Sequence, residues 1–324
     1  DQGIVRPLNG VRFRLRAGTS IGIVGESGCG KTLTAYSMLR LLPHTARITS
    51  GNVLYRRKDG AEVDLLKLGA ESREIRSIRG GEIAMIFQEP MTAMSPVYTI
   101  RNQIAEAIRL QRPDVDKRAV DDEVVRVLNR AGIPDAETRM HGYPFQFSGG
   151  MRQRAMIAMA IACRPSLLIA DEPTTALDVT VQLQVLRLIK QMQKEFNLSL
   201  MLITHDLGVV AHMVDTVCIM YLGRVVEKGP TTAIFDNPRH PYTRDLLNAI
   251  PRLTGSTQRL RSIRGSVPNP FTSPSGCPYH ERCGTKVGPE CERDIPSPVR
   301  VGPNHTVACF AHTNTVEDRG DDNE

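Results

Sequence analysis

Apolar residues along the chain occur in two patterns: short unbroken runs, and longer segments with helical spacing. The unbroken runs are typical of strands that are buried on both faces of a parallel sheet, and they cover residues 21–25, 83–87, 167–171, 198–204 and 217–221. Helical segments lie between them, at residues 33–42, 118–131, 151–163 and 180–196. Because strands and helices alternate, the pattern predicts an α/β fold with a mainly parallel sheet and helices on both of its faces.

The segment after the first predicted strand matches the phosphate-binding pattern G-x-x-x-x-G-K-[ST]. It consists of Gly25, Glu26, Ser27, Gly28, Cys29, Gly30, Lys31 and Thr32. The glycines let backbone N–H groups converge on phosphate oxygens, and the next helix directs its positive end towards them. Lys31 has the position that reaches the β- and γ-phosphates, and the Thr32 hydroxyl is placed to hold Mg²⁺. A chance glycine-rich turn is the alternative, but the flanking strand and helix favour a nucleotide site.

Two carboxylates follow the predicted strand at residues 167–171. The strand ends of open α/β sheets are where ligands bind. Asp171 lies where P-loop proteins place the acidic residue that meets Mg²⁺, and Glu172 has the chemistry to polarise an attacking water. An acidic N-cap for the next helix is the alternative, but the phosphate-binding loop upstream favours the nucleotide interpretation.

A second anion-binding helix N-terminus is predicted at Ser148, Gly149 and Gly150, in front of the Ala- and Met-rich helix at residues 151–163. A single chain does not need two phosphate-binding sites for one nucleotide. Two chains packed head to tail would use both, because the Ser148 turn of each chain would close over the phosphate-binding loop of the other. Here the sequence resembles the ATP-binding cassette (ABC) family, whose signature is usually Leu-Ser-Gly-Gly-Gln. This chain has Phe and Met at the first and last of these positions. The Ser-Gly-Gly core is intact, so we expect the signature to function.

The resemblance implies roles for three further residues. Gln88 ends an apolar run and resembles the Q-loop glutamine, which contacts Mg²⁺ and water and senses the transport partner. Asp178 ends an Ala-Leu-Asp segment that resembles the D-loop of the dimer interface, and His205 resembles the switch histidine that contacts the γ-phosphate. A lone histidine after an apolar strand is usually structural, but its spacing from Asp171 and Glu172 favours the switch role.

The family resemblance extends over about residues 5–250 and implies an ATPase in which water attacks the γ-phosphate of ATP in line. It also implies a cassette at residues 1–250 whose fold adds an antiparallel β part and a helical lobe at about residues 102–163. The chain lacks the aromatic residue on which family members usually stack adenine, since no aromatic precedes Phe13. Either the sequence is a fragment, or aliphatic contacts from Val5 or Leu8 hold the base.

Three stretches resemble one branch of the family, the ATP-binding subunits of oligopeptide and dipeptide importers: residues 88–96, 143–151 and 237–243. This resemblance implies a second cassette, identical or paralogous, transmembrane permease subunits and, indirectly, an extracytoplasmic solute-binding protein. It implies a peripheral location on the cytoplasmic face of the inner (plasma) membrane. Residues 91–99, rich in Met and Pro, are expected to face a permease coupling helix, with an ordinary surface loop as the alternative.

The composition of the chain restricts its possible functions and partners. The chain has 324 residues, a net charge of +6 and 41% hydrophobic residues, and no apolar run of membrane-spanning length. Its basic residues are scattered, so we expect no nucleic-acid partner and at most a weak attraction to an anionic membrane surface. A soluble cassette ATPase of DNA repair, chromosome organisation or translation is the alternative function. It is disfavoured because a compact segment, not a long coiled coil, separates Lys31 from Ser148, and because the chain holds one cassette.

The C-terminal part differs in composition from the cassette. Residues 251–303 hold nine of the 21 prolines. We predict a small irregular extension at residues 251–312, which needs a staple because it can hardly build its own core. An acidic tail at residues 313–324 is predicted to be disordered.

The candidate staple is a set of four cysteines: Cys277, Cys283, Cys291 and Cys309. Disulfides are disfavoured in a cytosolic protein, whereas four thiolates can hold zinc or an iron–sulfur cluster. The gaps between the cysteines are wider than in common zinc sites, and the pattern resembles the C-terminal extension of peptide-importer cassettes, some of which carry a [4Fe–4S] cluster. We therefore expect a [4Fe–4S] cluster, with Zn²⁺, bound with the help of His280, as the alternative. Unconnected cysteines are the third possibility.

Overall fold

The computed structural model describes residues 4–89, 93–113, 115–116, 118–175, 177–250, 263–268 and 274–313. These residues fall into two compact units. The P-loop unit comprises the described residues of 1–14, 21–34 and 204–324, and the signature unit comprises those of 15–20 and 35–203.

The sheet of the P-loop unit is built on a buried parallel pair of strands. β1 (Ser20–Val24) pairs in parallel with β7 (Thr216–Tyr221), and β7 pairs in antiparallel with β8 (Arg224–Pro230). The turn between β7 and β8 has φ of 42° at Leu222 and 74° at Gly223. Positive φ at both central residues gives the turn a twist that matches its flanking strands, so it directs β8 back along β7.

A hairpin from the C-terminal extension continues this sheet. β9 (Val299–Gly302) pairs in antiparallel with β10 (His305–Val307), and β10 pairs in antiparallel with β8. The sequence analysis did not predict these two strands, because they are short and flanked by proline. The helices of this unit after residue 204 are α8 (Leu207–Met213), α9 (Thr231–Asp236), α10 (Pro241–Asn248) and α11 (Glu290–Arg293).

The signature unit contains three adjacent parallel strands: β4 (Ile83–Ile86), β5 (Leu167–Asp171) and β6 (Ser199–Thr204). All residues of β5 and β6 are buried, as expected for the centre of a parallel sheet. A small antiparallel hairpin is formed by β2 (Leu54–Arg56) and β3 (Glu62–Asp64). This hairpin and the β7–β8 pair, each within its own unit, are antiparallel parts of the kind that the family resemblance implied.

The helices from α2 to α7 lie mainly in the signature unit. They are α2 (Arg73–Ile78), α3 (Ile100–Gln111), α4 (Val120–Arg130), α5 (Ala136–Arg139), α6 (Gly149–Ala162) and α7 (Val179–Phe196). The helices α3, α4 and α6 pack against one another. They fall in the region expected for the helical lobe, and α6 has the mostly buried surface that its Ala and Met content predicted.

All five strands predicted from apolar runs are present within one residue of their expected bounds. The first helix differs from its prediction. α1 (Lys31–Met38) ends four residues before the expected position, because Arg40 takes a left-handed φ of 55° that a helix cannot continue through. Within the part of the chain that the structure describes, every helix is too short or too polar to cross a lipid bilayer.

Candidate functional site

The predicted phosphate-binding loop joins β1 to α1, as the motif requires. Gly25 has no room for a side chain, since a Cβ there would lie 2.2 Å from the carbonyl oxygen of Met220. Gly28 and Gly30 have φ of 80° and 98°, which favours glycine at both positions. Lys31 is 5% exposed, and its Nζ donates to the carbonyl oxygens of Gly25 at 2.8 Å and Glu26 at 3.1 Å. The loop therefore curls around the ammonium group that is expected to meet phosphate.

The outside of this loop is held by two other segments of the P-loop unit. The N–H of Gly223, in the β7–β8 turn, donates to the carbonyl oxygen of Cys29 at 3.0 Å. A Cβ on Gly30 would lie 2.6 Å from the carbonyl oxygen of Pro7 and 2.8 Å from Cδ2 of Leu8. Leu8, one of the two residues considered for aliphatic contact with adenine, therefore lies against the loop.

Glu26, within the loop, is contacted by two residues that the sequence analysis did not single out. Its N–H donates to Oη of Tyr242 at 2.9 Å, and its carboxylate accepts hydrogen bonds from Arg282. Arg282 lies 256 residues further along the chain, so no local pattern could have revealed this contact. The C-terminal extension thus touches the predicted phosphate site.

His205 follows β6 directly, and its side chain is exposed. The next residue, Asp206, caps α8: its Oδ1 accepts from the N–H groups of Gly208 at 2.8 Å and Val209 at 3.2 Å. The predicted switch histidine therefore lies between Thr204, the last residue of β6, and the residue that caps α8.

In the signature unit, the structure brings two of the predicted catalytic residues together. Nε2 of Gln88 lies 3.3 Å from Oε2 of Glu172, and Oγ1 of Thr175 donates to the same oxygen at 3.1 Å. Glu172 has a left-handed φ of 44°, and its N–H donates to the carbonyl oxygen of Ile203 at 2.8 Å. A non-glycine residue in this conformation is strained, and such strain is concentrated at functional sites.

Asp171 is the last residue of β5 and is 1% exposed. Burial raises the pKa of Tyr36, and the negative charge of Asp171 raises it further. The strand thus presents a buried carboxylate at its C-terminal end, directly before the strained Glu172. The N-cap of the next helix, α7, is Asp178, so neither Asp171 nor Glu172 has the alternative role of capping it.

Ser148 and Asp178 both cap helices of the signature unit. Oγ of Ser148 accepts from the N–H of Met151 at 3.3 Å at the start of α6, and Oδ1 of Asp178 accepts from the N–H of Val181 at 3.0 Å at the start of α7. A Cβ on Gly150 would lie 2.6 Å from Cγ1 of Val181, so the small residue lets the two helix starts approach closely. Both capping side chains are exposed, with Gly149 between Ser148 and Gly150. Ala176, in the predicted D-loop, lies outside the described residues.

Exposed apolar side chains lie in two segments of the signature unit, one before α3 and one before α6. Val97 is 71% exposed, Tyr98 57% and Phe145 62%. The rings of Tyr143 and Phe145 stack with centroids 5.6 Å apart. Backbone hydrogen bonding between Ile100 and Gly142 brings the two segments together. We call Val97, Tyr98, Tyr143 and Phe145 the lobe surface; residues 90–92, beside it in sequence, are outside the described part of the chain.

The four C-terminal cysteines do not form the expected metal centre. All four of them line one small pocket: Cys277, Cys283, Cys291 and Cys309. Other side chains that line it include His240, Tyr279 and Phe310. Among the described residues, however, no group of three or more His, Cys, Asp or Glu side chains is arranged to hold a metal ion. The expectation of a [4Fe–4S] cluster is therefore wrong, and the Zn²⁺ alternative with His280 gains no support.

Burial also changes the acidity of two of these thiols. All seven cysteines of the chain are free. Burial raises the pKa of Cys277 to about 11, and burial also raises the pKa of Cys309. Both shifts favour the neutral thiol in this structure.

The staple that the extension needs is supplied by packing and by strand pairing. β10 adds to the edge of β8, and His305 of β10 donates from Nε2 to the buried carboxylate of Glu227 in β8 at 2.7 Å. Tyr279 is fully buried, and its Oη donates to Asp245 in α10 at 2.5 Å. The extension thus shares the core of the P-loop unit, so it does not need one of its own.

Comparisons with known proteins cover nearly the whole chain. The family model described as ABC transporter matches residues 8–175, and the model described as oligopeptide/dipeptide transporter, C-terminal region, matches residues 226–291. The chain is 46% identical to the dipeptide transport ATP-binding protein DppD of Bacillus subtilis, over 97% of this chain and 92% of that relative. It is 44% identical to the oligopeptide transport ATP-binding protein OppD of Salmonella typhimurium, over 95% of this chain and 89% of that relative.

Solved structures share the fold. A dimeric structure of the ATP-binding cassette MJ0796 bound to ADP and Pi matches 70% of this chain and 91% of its own, with a TM-score of 0.60 and 24% identity. CbiO1 of Clostridium perfringens, part of an ABC transporter complex, matches 71% of this chain and 84% of its own, with a TM-score of 0.56 and 23% identity. The predicted fold class is confirmed.

Proposed function

Since this chain belongs to the ABC transporter family and is an ABC ATPase, we propose that it is the ATP-hydrolysing subunit of a membrane importer of dipeptides or oligopeptides. The observation that carries the proposal is that identity to named peptide-transport subunits extends through the C-terminal extension as well as the cassette. The alternative, a soluble ATPase of DNA repair or translation, is not favoured by these relatives. We retain the division into a cassette at residues 1–250 and an extension at 251–312 as part of the proposal; residues 314–324 lie outside the described part.

We assign the phosphates of ATP to the loop from Gly25 to Thr32. Lys31 neutralises charge on the β- and γ-phosphates, because its ammonium already faces the inside of the loop. Mg²⁺ prefers oxygen ligands, and we assign to it the Thr32 hydroxyl, the Asp171 carboxylate and the Gln88 amide oxygen on the family resemblance. Bound there, Mg²⁺ would supply positive charge at the phosphate oxygens.

We assign Glu172 as the residue that polarises the attacking water. Gln88 and Thr175 hold one oxygen of its carboxylate, and the backbone hydrogen bond to Ile203 holds its strained main chain, so the group is orientated before substrate arrives. His205 contacts the γ-phosphate in this proposal.

We propose that a second cassette, identical or paralogous, completes the site. The positive N-terminal end of α6, with exposed Ser148 and the two glycines after it, faces the partner's ATP, and Asp178 lies at the same interface. The lobe surface docks on a transmembrane permease subunit, because exposed aromatic and apolar side chains that cluster on a monomer mark an interaction site. The solute-binding protein is an indirect partner, and the chain lies peripherally on the cytoplasmic face of the membrane.

Replacing Glu172 with Gln tests the catalytic assignment. We expect kcat for ATP hydrolysis by the full chain to fall by about 10²–10⁴-fold, since a positioned general base contributes about this factor. The dissociation constant for ATP should stay near that of the wild type. The matched control is Glu71→Gln, which removes an exposed carboxylate of the same unit. Wild-type turnover in the Glu172→Gln variant would contradict the role of Glu172.

The transported solute is tested in cells of the source organism that carry the Glu172→Gln allele on the chromosome. Uptake of a labelled dipeptide or tripeptide should be lost, while the Glu71→Gln allele leaves it intact. Normal peptide uptake together with lost ATPase activity would refute peptide import and leave the ATPase assignment in place.

A further inference from the structure

Arg282 is a charged side chain of the C-terminal extension that is buried against the predicted phosphate-binding loop. Its side chain is 4% exposed. Nη1 donates to Oε2 of Glu26 at 2.6 Å and Nη2 donates to Oε1 at 3.1 Å, which is a bidentate ion pair. Nη1 also donates to Oη of Tyr221 at 3.2 Å, and Nε donates to the carbonyl oxygen of Arg264 at 2.8 Å. A guanidinium held at all three nitrogens has little freedom to move.

Three buried tyrosines enclose this ion pair. The rings of Tyr221, Tyr242 and Tyr279 lie with centroids 4.7–5.2 Å apart. The guanidinium carbon of Arg282 lies 5.7 Å from the centroid of the Tyr221 ring and 5.8 Å from that of Tyr279. The hydrogen bonds from Arg282 to Glu26 raise the pKa of Arg282 further above its ordinary value. The surroundings thus keep the arginine charged and in one position.

Glu26 connects Arg282 to the centre of the loop. Its N–H donates to Tyr242, and its carboxylate accepts from Arg282. Its carbonyl oxygen accepts from Nζ of Lys31 at 3.1 Å and from the N–H of Cys29 at 3.3 Å. One residue therefore links the extension to the lysine assigned to the phosphates.

We infer that Arg282 is a positioning residue for ATP binding, which acts through Glu26 to hold and neutralise the phosphate-binding loop. The inference rests on the proposed function of that loop and adds a role for the C-terminal extension. A carboxylate in a loop that receives a triphosphate repels it unless a cation compensates its charge. Arg282 supplies that cation and fixes the carboxylate with two bonds, so the loop is preorganised before ATP arrives. The extension is then required for tight ATP binding, not only for stability.

A double-mutant cycle with ATP as the titrated ligand tests this inference on the full chain. We expect Arg282→Gln to raise the dissociation constant for ATP by about tenfold, the effect of losing one strong charge-assisted contact. In a Glu26→Gln background, the same Arg282→Gln change should alter the constant by no more than about twofold, because the group through which arginine acts is gone. Lys286→Gln is the matched control, since it breaks an exposed ion pair of the same extension with Glu292.

The outcomes separate positioning from anchoring. A lower melting temperature of Arg282→Gln with an unchanged dissociation constant would show that arginine only anchors the extension, and would overturn the inference. Equal effects in both Glu26 backgrounds would also overturn it. If Arg282→Gln does not fold, Arg282→Lys keeps the charge and loses the bidentate geometry. We then expect about a threefold weaker affinity in the Glu26 background and no change in the Glu26→Gln background. Absence of ATP binding by the wild type would instead count against the proposed function.

Discussion

Glu227 is a buried carboxylate that joins the C-terminal extension to β8. It lies in β8 and is 1% exposed. Oε1 accepts from Nε2 of His305 at 2.7 Å and from the N–H of Arg239 at 2.7 Å, and Oε2 accepts from the N–H of His240 at 2.9 Å. One side chain thus joins β8 to β10 of the extension and to the segment that starts α10.

The Glu227→Gln variant keeps the shape of this side chain but replaces one acceptor oxygen with an amide donor. Whichever way the amide is turned, at least one buried donor loses its acceptor. A hydrogen bond to a charged group contributes about 1.5–3 kcal/mol, and a buried unsatisfied donor costs about 1–3 kcal/mol more. We therefore expect the free energy of docking to fall by about 3 kcal/mol, which corresponds to about a hundredfold in the opening equilibrium.

Native-state hydrogen exchange measures this opening directly. The amides of Thr306 and Val307, in β10, should exchange about a hundredfold faster in Glu227→Gln than in the wild type. The matched control is Glu292→Gln, which removes an exposed carboxylate of the same extension and should leave both amides unchanged. Wild-type exchange rates at β10 in Glu227→Gln would refute the view that this carboxylate holds the extension.

The pH dependence of the same contact has a defined sign. Burial acts to raise the pKa of Glu227, but the hydrogen bonds from His305 and the backbone N–H groups outweigh it, so the pKa lies below its ordinary value of 4.5. A carboxylate whose pKa is lowered by folding stabilises the folded state above its ordinary pKa. This stabilisation should be complete at neutral pH and lost as the pH falls through the lowered pKa.

Two further predictions concern other elements of the structure. Burial lowers the pKa of His240 to about 4. As the pH falls, the unfolded chain therefore binds a proton at this histidine before the folded chain does. The free energy of unfolding should decrease by up to about 1.4 kcal/mol for each pH unit from pH 6.5 down to pH 4. His240→Asn keeps an acceptor for the N–H of Tyr242 and should flatten this slope in denaturant titrations at several pH values; an unchanged slope would contradict the assignment. Gly150→Ala places a Cβ 2.6 Å from Val181, so we expect about 1–3 kcal/mol lower stability and reduced ATPase activity. Val181→Ala should restore both in the double variant, and failure of this rescue would rule out crowding of α6 and α7 as the cause.

The sequence predicted the parts of the site that depend on local chain geometry. The loop at Gly25 to Lys31 is specified by glycines and a lysine within seven consecutive positions, and β1 and α1 flank it as expected. The capping role of Ser148 was likewise readable, because an N-cap bonds to a residue only three positions ahead. Such features follow from neighbouring residues, so the pattern of residue types suffices to find them.

The prediction of a metal centre at the cysteines was wrong; it rested on their spacing, on a family resemblance and on the expected need for a staple. A composition that is poor in apolar runs was taken to need an external staple, but the extension obtains its core from β8 and from the cluster around Tyr279. Strand pairing of β10 with β8 depends on an edge that becomes available only when β7 and β8 have folded. The composition of the extension could not predict this pairing, because the edge belongs to β8 and not to the extension.

The amino-acid sequence by itself thus predicted the fold class, the position of the glycine-rich loop and the family of this chain, because apolar runs and short motifs indicate them. Only the tertiary structure placed the C-terminal extension on β8 and brought Arg282 to Glu26, across 256 positions of sequence. The physical reason is that a buried ion pair forms where the surrounding packing excludes water and satisfies the remaining donors. Here three tyrosines, which lie in β7, in α10 and in the extension, supply that packing only after all three segments have assembled.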